Sequence, residues 1–452
     1  MNLYEKLLAY ADEDIYPMHM PGHKRNPEFQ MANPYSFDVT EVEGTDNLHH
    51  PREEIRRLMN QMKSCYGTRE SYLLVNGSTC GILAALSACC KKGDSILVDR
   101  NCHRSVYHGI YLLGLNPVYL YRQVEKKTGI AMGLERQAVE KALSENPNLS
   151  CVILTSPTYE GIVSDIRQIA QSVHQREIPL IVDEAHGAHL AWGEGLMDGI
   201  PSSAVTQGAD LVIESLHKTL PALTQTGVLH LCSGRIPPSL VERYLAIYET
   251  SSPSYVLMAS VAQCMDWMEK NKTRAFSEYK KNLDWFREQS SLWKVLSLWD
   301  NPQKEPSKLV IFTGTKELRG PELAAVLREK YKIQVEMEGS WHCLAMTSPC
   351  DTREGFQRLA DALSTIDKGL AEQGIKRDDC LNVPQESVPV AKVRMDSYKA
   401  MNGGQQEILL ENSVGRISAE YVMVYPPGIP FLVPGEEISR SVVEMISQAR
   451  EQ

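Results

Sequence analysis

From about residue 70 to residue 232 short apolar runs alternate with stretches of helical spacing, the pattern of a parallel sheet wrapped by helices. The predicted strands are SYLLV (71–75), SILVD (95–99), CVILTS (151–156), PLIVD (179–183), DLVIES (210–215) and GVLHLC (227–232). Helices are predicted for the small-residue stretch 81–90 and for 165–175. After a long helix starting near Tyr255 the pattern restarts with LVIFTG (309–314), a helix over 321–331 and IQVEMEG (333–339), as in a smaller α/β domain. A polar stretch near 374–405 leads to VGRISAEYVMVYPPGIPFLVPGEE (414–437), and the closing helix sets Ile438, Val442, Met445 and Ile446 on one face. The expected organisation is an N-terminal segment (1–30), a large α/β domain with a mostly parallel sheet (31–285), a small α/β domain (286–373) and a C-terminal segment (374–452). No internal repeat or low-complexity tract interrupts it.

Composition narrows the function classes. With 43% hydrophobic and 23% charged residues the chain is neither disordered nor fibrous. A net charge of -10, with no basic cluster, argues against a nucleic-acid partner. MNLYEKLLAYADEDIYP carries acids and no long apolar run, so neither a signal peptide nor a membrane span is expected, and the cytoplasm is the expected location. Eleven cysteines without a C-x-x-C pair read as small buried hydrophobes, and twelve histidines without H-E-x-x-H give no metal site.

Ligands of such sheets sit beyond the carboxyl ends of the strands, so the strand exits carry the chemistry. PLIVD ends in Asp183, followed by Glu184, Ala185 and His186. D-E-A-H also occurs in helicases, but that reading needs a Gly-Lys phosphate loop, and the sequence has no Gly-Lys dipeptide. An Asp capping the next helix is the structural alternative. Past DLVIES come Ser215, Leu216, His217, Lys218 and Thr219. A strand-exit lysine taken alone reads as a solvated cation. Here a Ser and a His that could bind an anion adjoin it, and a strand-end Asp lies thirty-five residues upstream. SYLLV runs into Asn76, Gly77, Ser78 and Thr79 before a helix, a turn that offers N–H groups and hydroxyls to a phosphate. SILVD exits into Arg100, Asn101, Cys102 and His103, whose ring could stack on an aromatic cofactor or simply serve the loop. CVILTS exits into the turn-rich Pro157, Thr158, Tyr159, Glu160 and Gly161.

Together with MPGHK (20–24), DVTEVEGTDNLHHP (38–51), NGST (76–79), DRNCHRS (99–105), TSPTYEG (155–161), DEAHGAH (183–189), SLHK (215–218), TSSPSY (250–255) and YPPGIP with PGE (425–436), these exits make the chain resemble the ornithine/lysine/arginine decarboxylases, fold-type-I enzymes dependent on pyridoxal 5'-phosphate (PLP). The resemblance implies that Lys218 holds the cofactor as a Schiff base and that Asp183 faces the pyridine nitrogen. It also implies that His103 stacks on the ring and His186 lies beside it. Gly77, Ser78, Thr79, Ser215 and His217 would hold the phosphate, and Thr250, Ser251 and Ser252 would reach it from a second subunit of a homodimer. PGHK begins at residue 21, so the short form without an N-terminal wing domain is expected.

The implied reaction is α-decarboxylation of a basic amino acid, arginine first and then lysine or ornithine, giving the amine and CO2. Asp38, Glu41, Glu43, Asp46 and Glu436 are the acids that could meet a cationic side chain; each could equally be a surface or capping residue. Two rivals exist. An aminotransferase or aldolase-type reaction would keep the cofactor, with Arg416 conceivable as a carboxylate ligand. A non-catalytic PLP-binding regulator would need a helix-turn-helix domain, for which the first twenty residues leave no room.

Overall fold

The computed structural model describes residues 1–378, 390, 392–423 and 428–451. An N-terminal helix, Leu3–Asp12, precedes a short strand, β1 (Tyr16–Met18). Seven strands then build the central sheet: β2 (Glu70–Leu74), β3 (Ser95–Asp99), β4 (Asn116–Leu120), β5 (Leu149–Thr155), β6 (Leu180–Asp183), β7 (Leu211–Glu214) and β8 (Gly227–Leu231). Their spatial order is β2-β8-β7-β6-β5-β3-β4. Only β8 runs antiparallel to its neighbours. The inner strands are apolar without alternation because helices cover both faces, dividing the core into two large clusters.

The predicted strands are all present, with ends shifted by a residue or two. β4 was not predicted, since NPVYL is a half-exposed edge strand, and an edge is where Pro117 is tolerated. The helix expected over 81–90 begins four residues earlier, at Gly77, and is buried nearly all round against the sheet. The helix expected over 165–175 is Ile166–His174, with Asp165 as its N-cap accepting from the Gln168 N–H.

The long helix Tyr255–Ser290 runs through the boundary expected at residue 285. Beyond it β9 (Ser297–Trp299), β10 (Lys308–Phe312), β12 (Met337–Glu338) and β13 (His342–Met346) form an antiparallel sheet in the order β12-β13-β10-β9. IQVEMEG, read as one strand, is two. β11 (Ile333–Val335) pairs in parallel with β1, and β12 joins the four-stranded sheet. The N-terminal segment is therefore stitched to the small domain rather than standing apart from it. Lys24 is buried there, donating to the carbonyls of His19 (2.7 Å) and Met346 (2.6 Å) with Asp351 at 4.0 Å.

In the C-terminal segment β14 (Val422–Met423) pairs with β15 (Pro430–Leu432), and Val442 and Ile446 of the closing helix pack on Leu432. Residues 424–427, which include the start of the YPPGIP stretch, and part of the expected polar stretch (379–389 and 391) lie outside the described residues. No helix among the described residues is long and apolar enough to cross a membrane.

One polar cluster is sealed inside the large domain. Glu184 accepts from Ser203 Oγ (2.6 Å) and the Ala204 N–H (2.9 Å). Fully buried Glu214 has His230 Nε2 at 3.7 Å, and His230 pairs through Nδ1 with Ser71 Oγ at 2.8 Å. Burial pushes the Glu214 carboxyl up to about 8 and Glu184 well above the ordinary carboxylate range. The folded protein therefore keeps protons that the unfolded chain releases above its ordinary value of 4.5, so stability falls as pH rises from about 4.5 to about 8. Glu214→Gln is expected to flatten that slope and raise the Tm at pH 8. Melting curves across this range check it, and an unchanged slope would contradict the buried protonated pair.

Candidate active site

The exits of β2, β5, β6 and β7 meet at one edge of the central sheet, joined there by the loop after β3. Lys218 lies in the short helical turn Leu216–Thr219 beyond β7, half-buried, with Nζ 3.0 Å from His186 Nε2. Burial pushes its amine down to about 8, against the pull of Asp183 and Glu336. Asp183, the last residue of β6, is buried; one oxygen accepts from the Ala185 N–H at 3.2 Å. Burial raises its carboxyl and the Lys218 charge opposes the shift. His186 is held well below its usual range by burial and then by Lys218, so the imidazole is neutral. Its Nδ1 is buried with no hydrogen-bond partner among the described residues, and Tyr159 packs edge-on at 4.8 Å between centroids. His103 caps the helix Arg104–Leu113, its Nδ1 facing Ser105 Oγ at 2.8 Å. Burial, then Lys218, push it down to about 3.

The β2–helix turn is open toward this edge. Gly77 sits at φ +74°, a conformation that favours glycine. Asn76 makes no side-chain cap, and the first N–H groups of the helix Gly77–Cys89 have no side-chain acceptor among the described residues. Ser215 Oγ donates to Ser78 Oγ at 3.0 Å, tying the β7 exit to this turn. His217 shares Nδ1 with the Thr226 carbonyl at 2.8 Å, and burial pushes it down to about 4. Its remaining nitrogen can therefore donate to an anion only after protonation. The PGHK stretch closes the far side: the Gly22 N–H donates to the His217 carbonyl at 2.7 Å, and a Cβ there would stand 2.7 Å from the Leu220 backbone.

Residues 1–354 match the Orn/Lys/Arg decarboxylase major domain, and residues 383–452 match the C-terminal domain of the same enzymes. The chain belongs to the Orn/Lys/Arg decarboxylase family. Arginine decarboxylases of Bacillus subtilis and Halalkalibacterium halodurans are 29% and 30% identical to it, over 98% and 99% of this chain and 92% of each relative. The lysine decarboxylase of Francisella novicida shares its fold, with a TM-score of 0.79 at 17% identity over 99% of this chain and 79% of that one. As a member of the Orn/Lys/Arg decarboxylases the protein is a PLP-dependent amino-acid decarboxylase. The residues fit that cofactor: a lysine amine with a lowered pKa, a buried carboxylate, and a cradle of N–H groups without a side-chain acceptor stand on one sheet edge.

Several residues expected to meet substrate are engaged elsewhere. Asp46 caps the helix Glu54–Tyr66, its carboxylate accepting the N–H groups of Arg52 (2.9 Å), Glu53 (2.8 Å) and Ile55 (3.1 Å). Glu436 is buried against Arg100 at 3.1 Å, which also binds the C-terminal segment to the β3 exit. Asp38 and Glu43 are exposed; Glu41 is half-buried, with Oε1 lacking a partner among the described residues. Arg416 is exposed and donates to Gln406 Oε1 at 3.0 Å, which removes the motive for an aminotransferase reading. The residue sequence reasoning missed is Glu336, between β11 and β12. It accepts from the Tyr159 hydroxyl and from the Met20 N–H (2.8 Å), and its charge is felt at Lys218. The one available signal was an acid flanked by buried Val335 and Met337.

Proposed function

We propose that the protein decarboxylates arginine to agmatine and CO2, in the cytoplasm and toward polyamine synthesis. The observation that carries this reading is Lys218, an amine near pKa 8, 3.0 Å from a neutral imidazole and facing a buried Asp183. PLP, when bound, supplies an aldehyde that captures amines and a ring that takes up the electrons of the breaking bond. Lys218 keeps a useful neutral fraction near pH 7 and so exchanges its amine with that of the substrate. His186 holds Nζ in place without competing for charge. Asp183 keeps a proton on the ring nitrogen, and His103 covers the ring. Gly77, Ser78, Thr79 and Ser215 hold the phosphate, with His217 joining them once protonated. Glu336 adds negative charge at Lys218 from the small domain while its two oxygens hold the Tyr159 hydroxyl and the Met20 N–H. Preference for arginine over lysine or ornithine rests on the two full-length relatives named arginine decarboxylase.

The proposed active unit is a homodimer. Ser251 and Ser252 are exposed while Pro253 beside them is buried, as a segment needs to be if it serves a neighbouring subunit. Incubating the PLP-loaded protein with arginine, lysine and ornithine separately should give CO2 and agmatine fastest from arginine. A keto acid product, or faster turnover of lysine, would overturn the reading.

A further inference from the structure

Only Val75 and Asn76 separate β2 from the helix Gly77–Cys89, so their placement decides where the N–H groups of Gly77, Ser78 and Thr79 point. Both are fastened from one side. Glu249, at the end of the helix Pro238–Tyr248, is buried and accepts through Oε1 the N–H groups of Val75 (3.0 Å) and Asn76 (3.3 Å). The same oxygen accepts from Cys80 Sγ (3.0 Å), one turn into the helix. The neighbouring Tyr248 carbonyl takes the Asn76 side-chain amide at 3.1 Å, which keeps that amide from capping the helix. Gln225 Nε2 holds the Val75 carbonyl at 2.6 Å. Glu249 Oε2 is buried without a partner among the described residues.

We propose that Glu249 is the positioning residue for the cofactor phosphate, fixing the turn that presents the Gly77, Ser78 and Thr79 N–H groups. The proposal rests on the reading above that these residues hold the phosphate. Three donors converge on that one oxygen, so where it stands fixes Val75, Asn76 and the first turn of the helix together. The position of the acceptor matters more than its charge, because a carboxylate behind a phosphate site also repels the dianion. A neutral acceptor of the same length should therefore serve, and a shorter side chain should not.

Apoprotein titrations with PLP and with pyridoxal, which lacks the phosphate, followed by visible absorbance, separate the roles. The wild type should favour PLP strongly. Glu249→Ala and Glu249→Asp should lose about tenfold or more in PLP affinity, the scale of lost hydrogen bonds to a charged group, with pyridoxal affinity unchanged. Glu249→Gln should stay within about threefold of wild type, one hydrogen-bond acceptor replacing another. An unaltered PLP-to-pyridoxal ratio in the Asp variant, whose apo Tm verifies folding, overturns the role of Glu249. A wild type that does not discriminate between the two ligands overturns the cradle assignment itself.

Discussion

Lys218→Ala is expected to lower turnover by at least about 10³-fold, the scale at which removing a covalent nucleophile is felt, while the protein stays folded. Lys218 is half-buried in the turn beyond β7 rather than packed among the strands, so its loss leaves no cavity in the core. Borohydride reduction of the wild type should fix a pyridoxyl group on Lys218, and a label on another lysine would contradict the assignment. The same variant tests the shared site. A subunit with Lys218→Ala keeps its Thr250, Ser251 and Ser252 hydroxyls, whereas one with those three changed to Ala keeps its lysine. Under conditions that exchange subunits, each mixed dimer contains one complete site if the hydroxyls act across a twofold interface, and activity returns. If they serve their own subunit, both sites stay defective and the mixture remains inactive.

Asp183→Asn should retain the cofactor yet lose about 10²-fold or more in turnover, since an anion opposite a developing charge in a dry site contributes several kcal/mol. The buried setting strengthens the expectation: with Asp183 2% exposed, no water stands in for the missing charge. Burial raises the pKa of Asp183 and a neighbouring cation lowers it, as the Lys218 charge does. Measuring kcat and bound PLP together checks this; near-normal turnover would remove Asp183 from its role.

The sheet and the strand exits were legible because parallel strands covered on both faces are apolar throughout, and the first polar residues after each run mark the ligand edge. Asp183, Lys218, Ser78 and His186 stand out for that reason. What was not legible depends on partners far away in sequence. Nothing near Glu436 reveals that Arg100 claims it, and Asp46 reads as a substrate acid until the N–H groups of residues 52–55 are seen to converge on it. Glu336 and Glu249 gain their roles from contacts with Tyr159 and with Val75 and Asn76, each more than 170 positions away. β4 escaped because an edge strand opening with Asn-Pro lacks the apolar run that betrays its neighbours.

The pairing of β1 with β11 has a consequence for the order of assembly. Tyr16 lies opposite Ile333, so β1 leaves the ribosome long before the strand it pairs with. Contacts of such sequence separation form slowly, because the loop they close must be ordered before they give anything back. Meanwhile the alternating strands and helices between residues 70 and 232 can collapse among themselves, each close in sequence to the next. The PGHK stretch follows β1 directly and leans on the turn that carries Lys218. In biosynthesis β1 and the PGHK stretch are thus made well before they can be placed, and the reactive lysine stays uncovered until they are.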